Sequence, residues 1–408
     1  MDRAQRRILV LDDEPFMLRL LAQMLASLGY TSVMTCDSGS GALSQMASLA
    51  QQPDLILMDL NMPHMDGVEF VRKLVELGYQ GSLLLISGED ERVMQMTEKL
   101  VRAHRINVLG HLPKPASREA LATLIDRSQA QPTVSEPELK SYHANDLRHA
   151  LAHKHLVNYY QPKVAVASGA VAGVETLVRW RHPVDGMVFP DQFISLAEEH
   201  GLIDELTRVV LGRALAQASR WRGEGVDLTI AVNVSMDNLA SVEFADYVAA
   251  AALAAGHAPQ DLTLEVTEGR LMQDLRAPLE TLTRLRMKRF RLAIDDFGTG
   301  HASLSQLRDI SFDQLKIDRS FVHGALHDKT ARAMYDASLG LGKKLGMEVV
   351  AEGVEDGDDW ELLQLTGCEL AQGYFIGRPM PAADLPAWIA AWHQRVRQEQ
   401  LAVGYRQG

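Results

Sequence analysis

Residues 292–300 read LAIDDFGTG, so two adjacent acids, Asp295 and Asp296, close an apolar run and are followed by glycines. Such a pair is either a polar turn, for which Asp and Gly are ordinary residues, or a place where a doubly charged cation is bound. Other apolar runs of the C-terminal part end in the same manner, at Gln161, Glu175, Asn233, Glu265, Lys316, Glu352 and Gln372, with Glu268, Asp318 and Glu355 a step beyond. Each of these alone reads as a solvated loop residue. Gathered on one rim, the carboxylates would repel one another unless paired or neutralised. An all-oxygen set of Asp, Glu and Asn suits Mg2+ or Mn2+ rather than a structural zinc. Its size leaves room for two ions, an arrangement that can set a hydroxide in line with a phosphodiester. Lys316 would add a cation for the phosphate, and Glu352 could accept a proton from water. Neighbouring strand residues point to opposite faces, so Asp295 and Asp296 can share one cluster only if the backbone turns where the strand breaks into GTG.

A second constellation lies near the N-terminus. Asp12 and Asp13 follow ILVL, Asp59 ends LILMD, Ser87 ends LLLIS and Lys114 lies in HLPKP. Taken singly they are strand-end polar residues. Together, three carboxylates suit a hard cation such as Mg2+. A carboxylate beside Mg2+ can attack a phosphoryl group while a hydroxyl and a lysine stabilise the added charge.

The elements that must carry these residues are legible as alternating patterns. Over residues 6–128, the short apolar runs ILVLDD, SVMT, DLILMD, SLLLIS and NVLGHL alternate with amphipathic stretches such as PFMLRLLAQMLASLG and GVEFVRKLVELG. That alternation predicts a doubly wound α/β domain with a five-stranded parallel sheet, whose ligands sit beyond the C-terminal strand ends. Residues 129–145, QAQPTVSEPELKSYHAN, are polar and contain two prolines, and read as a linker. From 146 to 400 the alternation resumes with eight candidate strands: VNYYQPKVAV, AVAGVETLVRW, LTIAVNVS, LTLEVTE, FRLAIDD, FDQLKID, MEVVAEG and CELAQGY. The first two are joined by ASG alone, too short for a crossover, and so form a hairpin. The expected architecture is a TIM-like (β/α)8 barrel with one antiparallel strand near its start, whose chemistry sits at the C-terminal strand ends.

Composition narrows the partners. A formal net charge of −12 over 408 residues argues against broad DNA binding. Only Cys36 and Cys368 are present, both inside apolar stretches, and read as buried free thiols. The basic opening MDRAQRR is followed by too short an apolar run for a signal peptide, and no run reaches the ~20 residues of a membrane span, so a cytoplasmic protein is expected. The five tryptophans read as packing residues or surface anchors, and the acidic run EDGDDW as a helix start, where negative charge is favourable.

The N-terminal segment resembles the receiver domain of two-component response regulators through LDDEP, LILMDLNMPHMDG, the ISG after the fourth run and LPKP. The resemblance implies Asp59 as phospho-acceptor, Asp12 and Asp13 as Mg2+ ligands with a main-chain carbonyl near Asn61, Ser87 as switch hydroxyl and Lys114 as phosphate contact. It also implies a cognate sensor histidine kinase as partner. His111 stands where the family often has Tyr or Phe.

The C-terminal segment resembles EAL-type cyclic-di-GMP phosphodiesterases. The signature glutamate is Glu175 in ETLVRW, with Thr176 at the middle position. YYQPKV, FPDQFISLAEEHGLI, VNVS, LEVTE, DDFGTGHASLSQL, LKIDRSFV, VAEGVE and QGYFIGRPM carry the match across residues 156–382. The resemblance implies Glu175, Asn233, Glu265 and Asp295 around one metal, with Asp295 shared by a second ion that Asp296 and Glu352 also serve. It implies Lys316 as catalytic lysine and Glu352 as general base. Gln161, Leu177, Arg179, Asp318, Glu355 and Gln372 would contact substrate, and Glu268 would anchor the DDFGTG loop, in which His301 replaces a common tyrosine. The expected reaction is hydrolysis of cyclic di-GMP to pGpG with Mg2+ or Mn2+, in a homodimer or higher oligomer. A barrel that only binds the dinucleotide is the alternative. Phosphorylation of the receiver at Asp59 is expected to control the reaction.

Overall fold

In the computed structural model, residues 3–49, 51–88, 91–104, 106–130, 142–267, 276–299, 307 and 310–406 are described. The chain divides into two compact units, Met1–Leu139 and Lys140–Gly408.

In the first unit, β1 (Arg7–Leu11), β2 (Ser32–Cys36), β3 (Leu55–Asp59), β4 (Ser82–Ser87) and β5 (Asn107–Pro113) form a parallel sheet of order β2-β1-β3-β4-β5. Helices Pro15–Ser27, Gly39–Ser48, Gly67–Glu76, Glu91–Ala103 and Arg118–Ala130 alternate with the strands. Successive strand side chains point to opposite faces. Leu9, Leu11, Ile56 and Met58 accordingly join one buried cluster, and Ile8, Val10, Leu55 and Leu57 another. Helix starts reflect local chemistry: Pro15 opens the first helix, and Asp66 caps the third by accepting a 2.8 Å hydrogen bond from the Glu69 amide.

The second unit is a barrel of eight strands: β6 (Leu156–Ala165), β7 (Val171–His182), β9 (Thr229–Val234), β10 (Leu262–Thr267), β11 (Arg291–Phe297), β12 (Gln314–Ile317), β13 (Glu348–Ala351) and β14 (Leu370–Ala371). β6 is antiparallel to both neighbours, β7 and β14, and closes the ring between them. Two short strands that the sequence pattern does not reveal, β8 (Gly186–Val188) and β15 (Met380–Pro381), extend the sheet on β7 and β6.

Strand alternation divides this barrel sharply. One set, including Val232, Leu264, Ile294, Leu315 and Val349, belongs to the large apolar cluster shared with the helices. The alternate set points into the lumen and is polar or small: Lys163, Glu175, Ala231, Thr263, Glu265, Ala293, Asp295, Gln314 and Lys316, nearly all buried. Small side chains at Ala231 and Ala293 leave room for long charged ones from neighbouring strands. Two expectations need correction. Cys36 is only half-buried, though both thiols are free. Gln161 and Glu175 lie inside β6 and β7 rather than at their ends, because those strands run on to Ala165 and His182. Helical turns occupy both ends of the proposed linker, through Ala130 and from Ala144, and residues 131–141 lie outside the described residues.

Candidate functional site

Lys316 is the centre of the barrel site. Its ammonium lies 2.8 Å from Glu352 Oε1, 2.9 Å from Asp295 Oδ1, 3.0 Å from Glu265 Oε2 and 3.5 Å from Glu175 Oε2. The lysine side chain is 1% exposed, and such a cation is sustained in the interior only because four carboxylates surround it. Burial lowers its proton affinity, but Asp295, Glu175, Glu265 and Glu352 outweigh that and hold its pKa well above the ordinary value. A second buried lysine, Lys163, contacts the other oxygen of Glu265 at 3.1 Å. Burial alone would raise the pKa of Glu265, yet Lys316 and Lys163 together bring it down to about 2.

The other acids are not so well compensated. Burial, reinforced by neighbouring carboxylates and opposed by Lys316, raises the pKa of Glu175, Asp295 and Glu352. The cluster therefore has negative charge in excess of its lysines, which is what a divalent cation relieves. Carboxylate oxygens of Glu175, Glu265 and Asp295 lie within 4.8 Å of one another, and so do those of Asp295, Asp296 and Glu352. Asp295 belongs to both sets. Asn233 donates to Glu175 Oε1 at 2.8 Å, which brings its amide against the first set. The donor set thus fits Mg2+ or Mn2+ by number, charge and hardness.

The aspartate pair converges by the backbone turn that its glycines suggest. Asp296 has φ +54°, in the left-handed region that Asp tolerates, and the β11–β12 register shifts between Ile294 and Phe297. Its amide donates to Asp295 Oδ1 at 3.0 Å.

Above this cluster, Gln161, Glu175, Asp296, Asp318, Glu352, Glu355 and Gln372 line one cleft. Gln372 donates to Glu175 Oε2 at 2.6 Å and to Gln161 Oε1 at 3.1 Å, tying β14, β7 and β6 together. Asp318 caps the short helix Arg319–Val322 by accepting from the Ser320 amide. Leu177 and Arg179 continue the inward face of β7 beyond Glu175 but are not part of this lining. Arg179 is nearly buried, with its guanidinium 5.9 Å from the Tyr159 ring and 5.0 Å from the Phe189 ring. Leu177 and Asn233 border a separate, more apolar cavity beside helix Ile203–Gly223. Glu268 and His301 lie outside the described residues.

Arg319 and Tyr374 also line the cleft, and with Lys163 they are the site residues that sequence reasoning missed. Arg319 is next to the predicted Asp318, and Tyr374 lies two residues after Gln372. Lys163 lies two residues past Gln161, which on a strand means the same face, so period-2 counting would have found it.

In the first unit, Lys114 Nζ bridges Asp12 Oδ2 at 2.9 Å and Asp59 Oδ2 at 2.7 Å. Burial pulls the Lys114 pKa down, but the hydrogen bonds and charges of Asp59 and Asp12 prevail and raise it. Oxygens of Asp12, Asp13 and Asp59 converge within 4.8 Å. The Asn61 amide donates to Asp59 Oδ1 at 3.2 Å, and Ser87 is buried at the end of β4. The donor set again suits a hard divalent cation. His111 is paired with Glu98 at 2.7 Å.

Known proteins resemble this chain. A model of the EAL domain matches residues 144–379, and a model of the response regulator receiver domain matches residues 8–126. The chain is similar to the cyclic di-GMP phosphodiesterase RocR of Pseudomonas aeruginosa, 33% identical over 379 residues, covering 92% of this chain and 96% of that protein. It is also similar to the bifunctional diguanylate cyclase/cyclic di-GMP phosphodiesterase MucR of Pseudomonas aeruginosa, 42% identical over 247 residues, covering 60% of this chain and 36% of that protein. Among solved structures, the PaMucR phosphodiesterase in complex with c-di-GMP matches with 42% identity and a TM-score of 0.56, over 59% of this chain and 98% of that one. No described helix is long and apolar enough to cross a membrane. A buried lysine ringed by carboxylates inside an eight-stranded barrel, preceded by an Asp-Asp-Lys pocket on a five-stranded sheet, is therefore the framework of a chain that belongs to the EAL-domain family and carries a response-regulator receiver domain.

Proposed function

We propose that the protein is a response regulator that hydrolyses cyclic di-GMP to linear pGpG, with the rate set by phosphorylation of Asp59. The observation that carries this reading is the Lys316 cluster, with two overlapping carboxylate sets at the floor of a cleft open to solvent. Support comes also from the RocR likeness, which spans both units.

Glu175, Asn233, Glu265 and Asp295 would hold one Mg2+ or Mn2+, and Asp295, Asp296 and Glu352 a second. When bound, the ions supply charge for the phosphoryl oxygens and an acidified water. Glu352, whose proton affinity is raised by burial and by Asp295 and Glu175, is suited to accept the proton of the attacking water. Water oxygen bonds to phosphorus as the P–O3′ bond breaks, and one of the two phosphodiesters opens. Lys316 stays charged and stabilises the negative charge that develops. Gln161, Asp318, Glu355 and Gln372 orient the dinucleotide, with Leu177 and Arg179 at the outer part of β7. Glu268 is proposed to anchor the loop after β11. On the first unit, Mg2+ on Asp12 and Asp13 would accompany phosphoryl transfer to Asp59 from a sensor histidine kinase, with Ser87 and Lys114 contacting the phosphoryl group. A homodimer or higher homo-oligomer is the expected assembly, and the cytoplasm the expected compartment.

The test is chromatographic analysis of cyclic di-GMP incubated with the protein and Mg2+ or Mn2+. The expected result is pGpG, lost on chelation and restored by metal. Glu352→Gln should slow turnover on the order of 10²–10⁴-fold while binding persists. Intact substrate with binding retained would leave a dinucleotide sensor instead.

A further inference from the structure

The matched EAL region ends at residue 379, yet the barrel unit continues into a long helix, Leu385–Arg406. Leu385, Trp388, Ile389, Trp392 and Val396 recur at helical spacing and face the barrel as buried or half-buried residues. The helix does more than cover an apolar surface. Arg395 Nη1 donates to the Phe375 carbonyl at 3.1 Å, and Trp388 Nε1 donates to the Ile376 carbonyl at 3.3 Å. The next carbonyl, that of Gly377, accepts from Gln161 Nε2 at 3.1 Å. Three consecutive carbonyls are thus fixed by three side chains, and the third belongs to the cleft itself.

The segment so fixed is the continuation of β14, which supplies Gln372 and Tyr374 to the cleft. β14 is a ladder of only two residues, Leu370–Ala371; beyond it main-chain hydrogen bonds from Val354 N to the Gln372 carbonyl (3.1 Å) and from Phe375 N to the Val354 carbonyl (2.9 Å) hold the start of the segment, and the carbonyls of Phe375, Ile376 and Gly377 are left to side-chain donors. The Arg395 guanidinium also lies 4.3 Å from the Phe375 ring centroid. The helix has its own anchor away from the cleft, since Trp392 Nε1 donates to the Gly169 carbonyl at 2.8 Å in the β6–β7 turn. Trp388 and Trp392 are stacked, with ring centroids 5.7 Å apart and planes at 15°.

We infer that helix Leu385–Arg406 is a positioning element for the substrate cleft, with Arg395 and Trp388 as positioning residues that hold the Gln372–Gly377 wall by its carbonyls. The inference rests on the proposed reading of the cleft as the dinucleotide site. Two variants of the full chain test it. Arg395→Met keeps the packed stem and loses the donor; Trp388→Phe keeps an aromatic ring and loses the indole N–H. For each, KM and kcat for pGpG formation, Tm, and amide hydrogen exchange of residues 372–378 are measured. The expected result is a KM raised roughly 2- to 10-fold, the equivalent of one lost hydrogen bond, with kcat within about 2-fold and faster exchange confined to 372–378. A fall in Tm with KM and local exchange unchanged would make the helix mere packing and overturn the inference. If the wild-type protein neither binds nor cleaves cyclic di-GMP, the reading of the cleft has failed. Local exchange in the variants then still decides the clamp: faster supports it, unchanged overturns it.

Discussion

Lys163 and Lys316 grip opposite oxygens of Glu265, so the deepest carboxylate of the barrel remains charged although it is fully buried. Removing one lysine leaves that charge half-compensated. Lys163→Met is expected to cost about 3 kcal/mol of stability, read as a lower midpoint in denaturant unfolding; an unchanged midpoint would mean that Lys316 suffices alone. A second residue gives a pH signature. His323 Nδ1 is 2.9 Å from Asp359 Oδ2, and its Nε2 is 4.0 Å from Glu355, with Asp356 nearby. The Asp359 hydrogen bond raises the His323 pKa above the ordinary 6.5, against a smaller effect of burial. A raised folded-state pKa means that the stabilisation is complete below the unfolded value and disappears as pH climbs through the folded one. The Tm gap between wild type and His323→Gln should thus be wider near about pH 6 than near about pH 9, and a pH-independent gap would contradict the assignment.

At the scale of elements, strand ends are brought together by glycines. A Cβ on Gly373 would sit 2.2 Å from the Val354 carbonyl oxygen and 2.3 Å from its nitrogen, both backbone atoms that cannot rotate aside. Gly373→Ala is expected to lose about 1–3 kcal/mol through overpacking and to lose most turnover, because the displaced loops carry Glu352 and Gln372. Thermal unfolding and a single-turnover assay would check both. The strands themselves were legible as apolar runs with a polar residue at fixed places, and the hairpin of β6 and β7 as an ASG joint. β8 and β15 were not, since three and two residues are too few to display a period. Lys163 escaped notice because it reads as one more strand residue until the face it shares with Gln161 is counted. Arg319 and Tyr374 were hidden differently: their place in the cleft depends on how loops fold back after β12 and β14, which strand periodicity does not encode. Trp388 and Trp392 read as packing residues from sequence, which they are, but the hydrogen bonds of their indole N–H groups needed coordinates.

For the whole molecule, two acidic pockets on separate units each combine carboxylates with a lysine, and the proposed division of labour assigns regulation to one and hydrolysis to the other. Asp59→Asn should abolish any response of pGpG formation to a phosphoryl mimic while leaving the unstimulated, metal-dependent rate within about 2-fold, because the barrel cluster shares no residue with the Asp59 pocket. Loss of the unstimulated rate in that variant would make the first unit part of the catalytic machinery instead.

The antiparallel strand β6 has a consequence for how such a chain is made. It is the first barrel strand to leave the ribosome, and its partners within the ring are the second, β7, and the last, β14, with the short β15 added beside it. Gln161 and Glu175 meet early across the hairpin, but Gln372 joins them only after roughly two hundred further residues have been translated. Closing so long a loop is slow because its entropic cost precedes its contacts. Until Gln372 is made, Gln161 and Glu175 lack the partner that joins them in the folded barrel. Competence for metal and substrate would then arrive late and all at once, when the final strand docks and Leu385–Arg406 folds down over the seam.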